Sequence, residues 1–94
     1  MRIVWLPRAR EEVRQAHLHI ASTSPAGARA VVDRIRTQVA ALREYPLIGR
    51  PGRVEGTREL VVSRTPFVVA YRISGKDIEI LSVMHGARRW PEEF

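Results

Sequence analysis

The chain has 94 residues, with 16 Lys and Arg against 10 Asp and Glu, a net charge of +6 and no cysteine. That length holds one domain, residues 1–94, and leaves no room for a second independent core. Without cysteine, a disulfide framework, Cys-ligated zinc and thiol catalysis are excluded and a reducing compartment is expected, while the positive balance favours a polyanion or an acidic protein as partner.

Arg2 to Leu6 reads as a short strand, and the apolar run around it is too short for a signal peptide. Nothing downstream approaches membrane-spanning length, so a soluble cytoplasmic protein is expected. Pro7 suits the first turn of a helix, which should run from Pro7 to about Ala21. Its apolar positions Ala9, Val13, Ala16 and Ile20 form one stripe, and Arg10, Glu11, Arg14 and Gln15 face away from it. Ser22-Thr23-Ser24-Pro25 breaks this helix. Ser24 is a suitable N-cap for a second one, in which Ala28, Val32, Ile35, Val39 and Leu42 keep the same spacing down to Glu44. Tyr45-Pro46 then stops the second helix, and Gly49-Arg50-Pro51-Gly52-Arg53 marks a turn-rich, positively charged loop.

The rest reads as a three-strand meander: Arg58 to Arg64, Phe67 to Ile73, and Ile78 to His85, with Thr65-Pro66 and Ser74-Gly75-Lys76-Asp77 as turns. The expected architecture is α+β in the order β-α-α-β-β-β, a helical hairpin packed on one face of a four-stranded, mainly antiparallel sheet. Strict alternation places Ile78, Ile80 and Met84 on one face of the last strand and Leu81, Val83 and His85 on the other. The middle strand divides in the same way, with Phe67, Val69, Tyr71 and Ile73 opposite Val68 and Ala70. Two helices cover one face, so Val68, Ala70, Leu81 and Val83 are expected on an open apolar surface suited to a binding partner, unless a C-terminal tail carrying Trp90 and Phe94 folds back over it.

Of the three histidines, His17 and His19 are two apart on a helix, a spacing that points them in different directions and makes a shared metal improbable. His85 closes the last strand beside Arg88 and Arg89, where it could act on a phosphate or simply bond to backbone. Arg50, Arg53, Arg58, Arg64, Arg72, Arg88 and Arg89 all fall in the loop-and-meander half, which makes that half the one expected to face a polyanion. No Gly-rich phosphate loop, metal-ligand spacing or serine-nucleophile motif is present, so no cofactor and no metal are expected.

Several segments, taken in order, resemble the RelE/ParE toxins of type II toxin-antitoxin modules: Trp5-x-Pro7-x-Ala9, Tyr45-Pro46-x-x-Gly49-Arg50-Pro51, Arg58-Glu59-Leu60-Val61, Tyr71-Arg72, and Val83 to Pro91. The resemblance covers essentially the whole chain. It implies a growth-inhibiting toxin, of the kind linked to plasmid stabilization, held in a hetero-oligomer by a cognate antitoxin. RelE-like members are ribosome-dependent mRNA endoribonucleases, or mRNA interferases, whereas ParE-like members inhibit DNA gyrase. On the nuclease reading, the resemblance puts His85 and Arg88 in catalytic positions. The middle-strand arginine of RelE-like enzymes falls on Val68 here, and their C-terminal tyrosine is absent unless Phe94 stands near its place. The ending from Val83 to Arg89 is closer to ParE-like members, so a gyrase-directed toxin is the favoured reading and the endoribonuclease the alternative. Arg50, Arg53, Arg64, Arg88, Arg89 and Trp90 are the expected target contacts, and Val68, Ala70, Leu81 and Val83 the expected antitoxin contacts.

Overall fold

The computed structural model describes residues 1–86. Arg88, Arg89, Trp90 and Phe94, singled out above, lie outside the described residues. The elements run β1 (Arg2–Trp5), α1 (Pro7–Ala21), α2 (Pro25–Ala40), a 3-10 turn (Ala41–Arg43), β2 (Arg50–Pro51), β3 (Arg58–Val61), β4 (Phe67–Ser74) and β5 (Asp77–His85). The sheet order is β1-β5-β4-β3-β2, with β1 parallel to β5 and the other pairs antiparallel. The helical hairpin and the four expected strands are present. A fifth strand, β2, forms where a loop was expected, because Arg50 and Pro51 pair with Glu59 and Arg58. At an outer edge of the sheet, proline's missing N–H is tolerated.

Local chemistry sets the boundaries. Pro7 opens α1, and the Ser24 hydroxyl caps α2 by accepting from the Gly27 N–H at 3.0 Å. The second helix was expected to reach Glu44, but its α-helical part ends at Ala40 and the last turn tightens to 3-10. Pro46 has no N–H to offer the Leu42 carbonyl, so the α ladder cannot continue. The β4–β5 turn has two residues, and its first, Gly75, takes φ +60°, as a type II′ hairpin turn requires.

The core lies between helices and sheet. Ala9, Val13, Val32, Ile35, Val39 and Leu42 from the helical side pack on Val69, Tyr71, Ile78, Ile80 and Val83 from the sheet. A second cluster of Ala70, Leu81 and Met84 packs with Leu6. The expected facing of β5 therefore needs correction: Val83 belongs with Ile78 and Ile80, and Met84 belongs with Leu81. The cause is a β-bulge. Ala70 is opposite Ser82, but Tyr71 is opposite Ile80, so Leu81 is an extra residue that inverts the alternation beyond it.

Strand β5 also outruns its neighbour. The β1 pairing covers Asp77 to Ile80, and among the described residues the far half of β5 has no strand partner on that side. Glu12 of α1 takes over there, its carboxylate accepting from the Ser82 hydroxyl at 2.7 Å and the Val83 N–H at 3.2 Å. Among the described residues no buried side-chain polar atom lacks a partner.

Candidate functional site

A groove of about 540 Å³ runs along the helical hairpin, lined by Trp5, Val13 and Val32 together with Arg10, Arg14 and His17 of α1 and Arg29, Asp33 and Arg36 of α2. The lining follows one rule on both helices. Positions 10, 13, 14 and 17 of α1 and positions 29, 32, 33 and 36 of α2 repeat the i, i+3, i+4, i+7 spacing that puts side chains on one helical face. Each face thus offers one valine at the bottom and charged groups above it.

The charges in the groove divide into held and unheld. Arg14 is fixed by the Glu11 carboxylate through two hydrogen bonds of 3.0 and 2.7 Å. Those bonds, with a third from Gln15, hold the Glu11 carboxyl down at about 2. Among the described residues, no ion pair holds Arg10, Arg29, Arg36 or Asp33. The groove therefore presents an apolar floor with a net positive rim, the complement of an amphipathic helix flanked by acidic side chains.

The basic half fares differently from its expectation. Arg50 is ion-paired to Glu59, Arg72 to Glu79 at 2.6 Å, and Arg58 donates to the carbonyls of Gly49 and Leu47 at 2.7 and 3.3 Å. Of the arginines expected there to meet a polyanion, Arg53 and Arg64 are the ones with neither an ion pair nor a side-chain hydrogen bond among the described residues. Arg50, Arg53, Glu59, Val68, Met84, His85 and Gly86 surround a depression of only about 50 Å³. The structure thus brings Arg50, Arg53 and His85 together, and it places Arg64 apart from them in the β3–β4 turn. The His85 ring lies edge-on to Phe67, with centroids 5.8 Å apart. Among the described residues no group of three His, Cys, Asp or Glu side chains could hold a metal.

Three of the four expected antitoxin contacts, Ala70, Leu81 and Val83, are buried, and Val68 is half-buried. Val83 faces the helices, for the reason given by the bulge. What the sequence reading missed is the groove. Its signal was present, because arginines recur at helical spacing on both helices beside the buried stripes. Only the tertiary packing shows that those two rows face each other.

Three of the segments behind the family resemblance, Tyr45 to Pro51, Arg58 to Val61 and Tyr71-Arg72, meet in a structural latch. The Tyr71 hydroxyl, buried under the 45–49 loop, donates to the Pro46 carbonyl at 2.8 Å and accepts from the Gly49 N–H at 2.9 Å. A Cβ on Gly49 would lie 2.6 Å from that hydroxyl and 2.9 Å from the Glu59 carbonyl oxygen, so only glycine fits. Arg58 ties the same loop through its two carbonyl contacts.

Comparison with known proteins accords with this fold. Residues 3–90 match the model of the ParE toxin of type II toxin-antitoxin systems. The candidate toxin Y4kP of Sinorhizobium fredii is 47% identical over 91 residues, covering 97% of this chain and 94% of that protein. Toxin RelE2 of Caulobacter vibrioides is 33% identical over 86 residues, covering 92% of this chain and 96% of its own length. A solved chain from the chromosomal ParDE TA system of P. aeruginosa shares the fold with a TM-score of 0.84 and 31% identity, over 90% of this chain and 95% of that one. The chain belongs to the ParE toxin family and is a toxin of a type II toxin-antitoxin system, which implies a cognate antitoxin as its partner.

Proposed function

We propose that this toxin acts on DNA gyrase, by binding rather than by cutting RNA. The observation that carries the reading is the depression on the sheet. Its Arg50 is already neutralised by Glu59, and Val68 stands where a RelE-like enzyme would place a cation. A missing transition-state donor of that kind typically lowers a rate by roughly a hundred- to a thousand-fold. Arg53 and Arg64, exposed and without ion pairs among the described residues, are the proposed contacts to the target, with Arg50, Arg88, Arg89 and Trp90 as further candidates from the sequence.

The cognate antitoxin is proposed to lay an amphipathic helix with acidic flanks into the groove between α1 and α2. The burial of Ala70, Leu81 and Val83 supports the groove over the sheet face as its main contact. Purified toxin tested side by side on gyrase supercoiling and on mRNA in translating ribosomes separates the two targets. Loss of supercoiling with intact mRNA is the expected result. Position-specific mRNA cuts that disappear in His85→Ala would overturn it in favour of the endoribonuclease.

A further inference from the structure

The loop between the 3-10 turn and β2 carries the three most exposed large apolar side chains of the described residues: Tyr45 at 61%, Leu47 at 64% and Ile48 at 63%. None of them belongs to the core clusters or lines the groove. A plain connection needs no such side chains, and polar turn formers would make it without exposing large apolar groups.

The backbone of this loop is nevertheless fixed. Tyr71 bonds to Pro46 and Gly49, Arg58 bonds to Leu47 and Gly49, and the Ile48 N–H closes a turn on the Tyr45 carbonyl at 3.2 Å. A rigid backbone presenting apolar tips loses little entropy on binding, the condition for an interface anchor.

We infer that Tyr45, Leu47 and Ile48 form a preformed plug that seats in an apolar, acid-rimmed pocket on the toxin's protein target. The inference rests on the reading of this toxin as one that binds a protein. Two aliphatic tips suit a protein pocket, whereas a nucleic acid would be met by cations and stacking rings. The acidic rim follows from charge: in sequence Arg43 precedes the loop and Arg53 follows it beyond β2, both exposed, against Glu44, on a chain of net charge +6.

The test compares wild-type toxin with Leu47→Ser, Ile48→Ser and the triple variant Tyr45→Ser/Leu47→Ser/Ile48→Ser. The readouts are the induced dose that arrests growth, affinity for the cognate antitoxin, melting temperature and oligomeric state. The expected result is a rise of tenfold or more in the arresting dose for the triple variant and a smaller rise for each single variant. Antitoxin affinity should stay within about twofold and the melting temperature nearly unchanged, as for surface substitutions. Undiminished toxicity overturns the inference. So does a parallel loss of antitoxin binding, which would make the loop an antitoxin contact, or a change in oligomeric state, which would make it a self-interface. If the triple variant unfolds, the single variants decide by the same readouts. Failure of wild-type toxin on gyrase would reject that target while leaving the plug to stand or fall on growth arrest alone.

Discussion

Tyr71 shows how one buried hydroxyl organises the region that the family motifs mark. It satisfies a carbonyl and an N–H from a loop more than 20 residues earlier in the chain, at 2.8 and 2.9 Å. Tyr71→Phe would leave both backbone groups short of a partner, and unfolding measurements should show a loss of about 1–3 kcal/mol. Burial pushes the Tyr71 phenol above its ordinary value, and the Gly49 N–H and the Arg58 charge only partly offset that. A raised phenol pKa contributes stability that is present below the unfolded value near 10 and is lost as pH rises through the folded one. Denaturant midpoints should therefore fall above about pH 10 in the wild type, and the phenylalanine variant should lack this part of the alkaline loss. Arg64 makes the opposite kind of case. It is the one non-glycine residue with positive φ among those described, at 64°, and its side chain is exposed. Left-handed backbone costs a residue with a Cβ about 1 kcal/mol, so Arg64→Gly should raise the melting temperature by a few degrees. If the side chain contacts the target, the same variant loses toxicity while gaining stability.

At the scale of elements, the junction of α1 with β5 is held by a carboxylate doing the work of a missing strand. Glu12 accepts from Ser82 and Val83 just past the point where β1 stops. Glu12→Ala strands a buried hydroxyl and an edge N–H, and should cost about 1–3 kcal/mol in chemical denaturation. Glu12→Gln keeps an acceptor oxygen and should cost clearly less. Equal losses for the two variants would show that the charge, and not the acceptor geometry, holds the junction. The bulge at Leu81 belongs to this scale as well. By adding one residue it keeps Ile78, Ile80 and Val83 all under the helices, where uniform alternation would have turned Val83 away.

For the molecule as a whole, the groove and the net charge act together. A positive rim attracts an acidic partner over a distance set by ionic strength, and the apolar floor holds it after contact. Raising salt from about 0.05 to 0.5 M should slow association with the antitoxin by about tenfold or more, with a much smaller effect on dissociation, as surface plasmon resonance can resolve. Val32→Arg would put a charge on the floor and should act on dissociation instead. Because the partner binds the folded toxin, antitoxin at about 100 times its Kd should add about 2.7 kcal/mol of apparent stability, a gain the groove variant would forfeit.

The sequence by itself determined the order of elements, the helix starts at Pro7 and Ser24, and the buried stripes. These depend on local rules: proline's fixed φ, a serine cap, and the 3.6-residue period of apolar positions. It also carried the family, because Gly49, Arg58 and Tyr71 stand in the segments that resemble it, and each meets a geometric constraint set by a distant contact. Tertiary structure alone decided which way Val83 points, that Arg50 and Pro51 form a strand, and that Arg50, Arg58 and Arg72 are engaged within the fold rather than free for a polyanion. It alone made a groove of two arginine rows that lie some 20 residues apart in the chain. The physical reason is common to all of these. A bulge, an edge pairing, an ion pair and a cleft are relations between segments distant in sequence, and no local period or propensity encodes which partner will be opposite.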